Sequence, residues 1–289
     1  MATLLDFRRR IRSVRNTQQI TRAMKFVAAA RLRRAQEKVF AARPYARLMQ
    51  GVLRSAMARV ESPTHPLMAR RPEERVLVLV LSGDRGLCGA FNTNVIRKAV
   101  ELLRERSQQT LEVIPIGKKA RDALRKHKWK FVAEYLNLMT RVELPRAKEI
   151  AAQVMGRYSA AEVDAVYMVY NEFKSVMTQR LIVEKLLPID PELLEGSPPG
   201  HALVVDYIYE QPAVEILGRL LPRYVETQVF RVMLESSAAE HAARMTAMDS
   251  ATNNAAELIE QLTLHMNKVR QAAITKEIIE VVSGATWTA

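Results

Sequence analysis

Three glycines, Gly83, Gly86 and Gly89, stand in the stretch VLVLVLSGDRGLCGAFN, Val76 to Asn92, directly after an apolar run. A strand, a glycine turn and a helix start together present backbone N–H groups and a positive dipole end, the chemistry of a phosphate cradle. The spacing argues against one. An even interval of three matches neither G-x-G-x-x-G nor G-x-x-x-x-G-K-[ST]. The lysine and hydroxyl that a Walker-type loop turns on the outer phosphates and magnesium are replaced by Ala90, Phe91 and Asn92. The expected role is a tight strand-to-helix turn that faces a partner. Cys88 in the same loop is the only thiol, and a nucleophile there would need a base. His65, His127, His201, His241 and His265 are scattered along the chain, so a buried, inert thiol is expected. One cysteine excludes an internal disulfide and any Cys-x-x-Cys site, as in chains from a reducing compartment.

The elements that must carry this loop read as an alternation from Glu74 to Glu210. Strands are expected at VLVLVLS, LEVIPIG and AVYMVY, then at RLIVEKLL and LVVDYIY, with helices at 92–106, 118–127 and 145–158. A β-α-β-α order implies a mostly parallel sheet covered by helices. PIDPELLEGSPPG, 188–200, has the composition of a surface loop.

Both ends lack helix punctuation. No Gly or Pro precedes Pro44, and none occurs from Arg223 to Ser283. In the first segment a heptad seam runs Phe7, Ile11, Val14, Gln18, Thr21, Lys25, Ala28, Leu32, Ala35, Val39, Ala42, Ala46, Met49, Leu53, Ala56, Val60. Its members Gln18, Thr21 and Lys25 are polar, and apolar residues lie beside them at Ile20, Met24 and Val27. The helix is therefore expected to change its buried face there, and to bend or loosen at Pro44. The last segment repeats the pattern at Leu234, Ala238, His241, Met245, Met248, Thr252, Ala255, Ile259, Leu262, Met266, Val269 and Ala273, with His241 expected as a satisfied helix contact. Its uninterrupted 61 residues make a helix of roughly 90 Å. One globule cannot bury such a seam, so antiparallel pairing with the N-terminal helix is expected, as a thin rod lined by alanine and methionine.

Charge is concentrated on the first segment. Residues 1–60 hold 15 Lys and Arg against Asp6 and Glu37, and the rest of the chain balances at 29 of each sign, so the net +13 belongs to one segment. A nucleic-acid arm, a mitochondrial presequence and a helix that meets acidic protein surfaces all fit that charge. The basic pattern continues past the usual length of a targeting peptide. Phe7, Phe26, Phe40 and Tyr45 lie too far apart to form one base-stacking platform. The longest apolar run, Val76 to Leu81, suits a strand and falls far short of the roughly 20 residues of a membrane span.

IRSVRNTQQITRAMKFVAAARLRRAQ near the start, LSGDRGLCGAFN in the middle and RMTAMDSATNNAAELIEQLTLHMNKVRQAAITKEIIEVVSGA at the end resemble, in order and separation, the signature regions of the gamma subunit of F-type ATP synthases. The resemblance runs from about Phe7 to Ala285. It implies an α/β fold class, with a long antiparallel coiled coil of the N- and C-terminal helices plus a central Rossmann-like domain. The expected bounds are 1–60, 74–210 and 212–285. It also implies a non-catalytic central rotor shaft that needs no cofactor or metal. Its partners would be three alpha and three beta subunits, the epsilon subunit and the membrane ring of c subunits, with no nucleic acid. Arg270, Gln271, Thr275 and Glu277 are implied to meet beta-subunit loops. Met24 and Lys25, beside Arg22, Arg31, Arg33 and Arg34, are implied to meet the acidic beta loop that transmits torque, and Tyr207 to meet epsilon or the c ring. The absence of an inserted cysteine pair departs from the redox-regulated chloroplast type. A signature that begins within a few residues of Met1 leads to the expectation of a bacterial protein, peripheral at the cytoplasmic face of the inner membrane.

Overall fold

The computed structural model describes residues 3–57, 65–190 and 212–287. The chain divides into two compact units, one of residues 1–29 with 244–289 and one of residues 30–243.

Two long helices supply the ends. Helix α1 is Leu4–Met57 and α5 is Ala213–Trp287. Both are continuous through an internal proline, Pro44 in α1 and Pro222 in α5. In the first unit the two helices pair antiparallel. The rings of Phe7 and His265 meet at a 49° tilt with centroids 5.0 Å apart, Thr21 Oγ lies 2.8 Å from Thr252 Oγ, and Lys25 Nζ reaches Asp249 Oδ1 at 2.5 Å, so the partners descend as α1 ascends.

The expected change of face at TRAMKFVAAA does not occur. Thr21 is only 8% exposed and stays in the seam, while Ile20 and Val27 are 59% and 53% exposed and Phe26 is also left outside. The hydroxyl of Thr21 shares a hydrogen bond with Thr252, and Lys25 is matched by Asp249, so the helix keeps its register by pairing polar groups across the seam. Turning the helix to bury Ile20 would break that register.

In the second unit a five-stranded sheet is formed by β1 (Arg75–Leu81), β2 (Thr110–Ile116), β3 (Lys130–Phe131), β4 (Ala165–Phe173) and β5 (Gln179–Leu187). The order is β3-β2-β1-β4-β5, with β5 antiparallel to β4 and the other pairs parallel. Helices α2 (Phe91–Glu105), α3 (Lys118–Lys126) and α4 (Leu144–Ser159) connect the strands. β1 is apolar at every position from Val76 because both of its faces are covered. Val76, Val78 and Val80 pack with Val95, Ala99 and Leu103 of α2 and Leu124 of α3, while Leu77, Leu79 and Leu81 are buried on the opposite face. The sequence missed the two-residue β3. The strand expected at LVVDYIY lies outside the described residues.

Candidate functional site

In a doubly wound sheet a ligand binds beyond the carboxyl ends of the strands, where the order reverses. Here that switch point lies between β1 and β4, at the loop from Ser82 to Ala90 that follows β1. The polar groups of this loop are turned inward. Ser82 Oγ accepts the Ala120 N–H at 2.8 Å, and Asp84 Oδ1 accepts the N–H groups of Lys118 at 3.0 Å and Asn137 at 2.9 Å. The amino end of α3, which would draw a phosphate, is thus served by side chains of the chain itself. Asn92 fixes the loop from the other side. Its Oδ1 accepts the Gly83 N–H at 2.8 Å, and its Nδ2 donates to Arg85 O at 3.2 Å and to Cys88 Sγ at 3.0 Å. Cys88 is buried, as expected. Gly89 has a φ of 55°, a conformation that favours glycine, and closes the turn onto α2. At Gly117, with φ at 107°, a Cβ would lie 2.1 Å from Ser82 O, so only glycine lets β2 end against β1.

Helix α5 closes the crevice. A Cβ at Gly83 would stand 2.8 Å from Glu240 Cδ and 2.9 Å from its Oε1, and Glu240 is 5% exposed. The role of Gly83 is therefore to admit a carboxylate of its own chain. Before it on α5, Glu235 Oε2 accepts the Phe173 N–H at 3.1 Å and pairs with Arg43, while Ser237 Oγ donates to Met139 O at 2.9 Å. Further back, Arg231 Nη2 grips Glu184 at 2.9 and 2.8 Å, and Tyr170 Oη donates to the same carboxylate. Burial pushes the Tyr170 phenol well above its ordinary range, with Arg231 pulling the other way. Burial also opposes the charge of Arg231, but Glu184 more than offsets it and holds the guanidinium fully charged. Residues 232–242 are all buried as a result. A carboxylate and a helix stand where a nucleotide phosphate would, and the like charge would repel one.

The residues singled out for partner contact fall in two patches of the first unit. Met24 is half-buried, and Lys25 is engaged by Asp249 within the helix pair. Arg22, Ile20, Phe26 and Val27 around them face outward. Arg270, Gln271, Thr275 and Glu277 are all exposed, and Thr275 Oγ donates to Gln271 O at 2.9 Å. From Asp249 to Arg270 is roughly 30 Å of helix at 1.5 Å per residue, so the patches are separate surfaces. Ala273 is the last residue of the α5 seam with partial cover, and Ile274, Ile278, Ile279 and Val281 beyond it are exposed. Tyr207 lies outside the described residues. The sequence reading missed the outward face of Ile20, Phe26 and Val27, whose signal was the apolar stripe itself. It also missed Glu240, for which no local pattern exists. Among the described residues no helix is long and apolar enough to cross a membrane.

The family model described as "ATP synthase" matches residues 3–286. An ATP synthase gamma chain from Solibacter usitatus is 52% identical, covering 99% of both chains. One from Pelotomaculum thermopropionicum is 47% identical, again over 99% of both. Among solved structures, a chain of the Tetrahymena thermophila mitochondrial ATP synthase central stalk and c ring is 26% identical with a TM-score of 0.59, covering 80% of this chain and 99% of that one. A chain from the Euglena gracilis mitochondrial ATP synthase in rotational state 3 shares the fold, with a TM-score of 0.67 at 21% identity, over 98% of this chain and 93% of that one.

Proposed function

This chain belongs to the ATP synthase gamma-chain family, and we propose that it is the central shaft of a rotary ATP synthase, itself without a catalytic site. It couples rotation of a membrane ring of c subunits to ATP synthesis or hydrolysis on three alpha and three beta subunits, with the epsilon subunit at its foot. The observation that carries this reading is the tip of α5. Past Ala273 it sets Ile274, Ile278, Ile279 and Val281 outward beside Arg270, Gln271, Thr275 and Glu277. A solvent-facing helix gains nothing from such apolar side chains, whereas one enclosed by a ring of subunits does.

The mechanism is differential contact. A shaft without threefold symmetry offers a different face to each of three identical catalytic subunits and stabilises a different conformation in each. Carrying a subunit from mostly open to mostly closed takes about 5.5 kcal/mol of differential affinity, so several charged and apolar contacts must act together. Arg270 and Gln271 supply charged and amide donors for beta-subunit loops, with Thr275 and Glu277 one turn or more further along. Met24 and Lys25, with Arg22, Arg31, Arg33 and Arg34 nearby on α1, are assigned to the acidic torque loop, and Lys25 also pairs with Asp249. Tyr207 is assigned to epsilon or the c ring. The complex sits at the cytoplasmic face of a bacterial inner membrane, and this chain reaches the membrane only through it. Native mass analysis of the complex recovered with the chain tests the reading. One copy per three alpha and three beta subunits, with ATP hydrolysis, is expected, and recovery of the chain alone or on nucleic acid would overturn it.

A further inference from the structure

The second unit contains a basic cavity, two of whose cations, Arg31 and Arg34, also stand in the basic cluster that the shaft reading turns toward the acidic beta loop. Arg31, Arg34 and Lys38 fall at i, i+3 and i+7, on one face of α1. Leu234, Ser237 and His241 repeat that interval on α5 and form a buried floor. The loop before α4 closes the third side with Thr140, Arg141 and Val142, and the space enclosed is about 400 Å³. Arg141 pairs with the exposed Glu143 at 2.8 Å, while no carboxylate pairs with Arg31, Arg34 or Lys38 among the described residues. Gathering four cations around one concavity is unfavourable unless something negative enters it. The exposed Arg141–Glu143 pair contributes little and is readily exchanged for a stronger acceptor.

We propose that this cavity is a binding site for a compact multivalent phosphate, either free polyphosphate or the tail of a nucleotide. A single carboxylate would neutralise one charge of four, whereas a di- or triphosphate matches the set, and the guanidinium forks bind its oxygens bidentately. Ala35, Val142 and Leu234 give the cavity an apolar side on which the organic part of a nucleotide would rest. The site is distinct from the switch-point crevice, which Glu240 fills, and the proposal does not depend on the shaft reading.

The test is calorimetric titration of the full chain with inorganic tripolyphosphate and with ATP at about 0.15 M salt, where diffuse surface charge is screened. One saturable site is expected. Arg34→Gln and Arg141→Gln should each weaken it about tenfold, the effect of removing one charge-assisted hydrogen bond. Arg34→Lys should retain part of the affinity, and Arg97→Gln, an equal change of net charge on α2, should leave it unaltered. Equal affinities for the two ligands assign the site to free polyphosphate, and tighter ATP binding assigns it to a nucleotide. Absence of a saturable site, or equal weakening by Arg97→Gln, overturns the proposal. So does an Arg34→Gln chain that assembles poorly with its partner subunits while the unaltered chain binds neither ligand, because the cavity is then a seat for a partner's acidic residues.

Discussion

Gly83 and Asp164 show how single residues hold the second unit together. Alanine at position 83 would drive a methyl group into the buried Glu240 carboxylate, and overpacking of this kind costs about 1–3 kcal/mol. Urea unfolding should show Gly83→Ala destabilised by that amount. Glu240→Ala in the same chain should recover at least about 1 kcal/mol of it, a coupling expected only of residues in contact. Additive effects would contradict the closed crevice. Asp164, 2% exposed, accepts from Arg75 Nε at 3.1 Å, from its Nη2 at 2.8 Å and from its backbone N–H at 2.9 Å. Those bonds, the Arg75 side chain first, hold its carboxyl below the ordinary range. A depressed carboxyl contributes stability that is fully present above its unfolded pKa of about 3.9 and is lost as pH falls through the folded value. Asp164→Asn should therefore cost about 2 kcal/mol at pH 7, a figure kept modest because Arg75 is partly exposed. The gap from the unaltered chain should narrow below about pH 4.

The seam of the two helices changes character between the units. In the second unit α1 sets Leu32, Val39, Met49 and Leu53 into buried contacts. In the first, Thr21 meets Thr252 and the half-exposed Lys25 meets Asp249. Leu32→Ala should cost about 2–4 kcal/mol, as deletion of a buried aliphatic chain does. Lys25→Ala should cost less than about 1 kcal/mol, because an ion pair open to water gains little. Fluorescence or circular-dichroism melts of the two variants would rank them, and the reverse order would contradict this account of the seam. The same weakness predicts local opening. Amide hydrogen exchange from Phe7 to Arg34 and from Asn254 to Val282 should be fast in the isolated chain and slow on assembly. Equal protection in both states would mean the helix pair needs no ring to hold it.

For the molecule in its complex, the tip of α5 separates stability from coupling. Arg270 and Gln271 are exposed, so Arg270→Ala and Gln271→Ala should leave the unfolding midpoint of the isolated chain within about 0.5 kcal/mol. In the assembled complex each should lower ATP hydrolysis about tenfold, the equivalent of one charge-assisted hydrogen bond missing from the transition between states. Unchanged turnover with both residues replaced would remove them from the coupling surface. The family was legible because three signature stretches lie in order along the chain, and the crevice was partly legible because the glycine spacing in Gly83 to Gly89 fits no phosphate loop. The closing group was not, because Glu240 is separated from Gly83 by most of the chain and belongs to no motif.

Sequence alone determined β1, β2, β4 and β5 of the central sheet, the heptad seams from Phe7 to Ala56 and from Leu234 to Ala273, and the asymmetry of charge. Each of these is a local periodicity or count, set by the 3.6-residue turn, the two-residue pleat and composition. Tertiary structure alone decided the face of α1 at Thr21 and the occupant of the switch point. At Thr21 the apolar stripe Ile20, Met24 and Val27 competes with the straight seam, and the partner helix resolves it by offering Thr252 and Asp249, which no local pattern in α1 reveals. At the switch point an anion slot made by one segment is filled by the carboxylate of another, and only the packing of α5 across the strand ends brings Glu240 to Gly83.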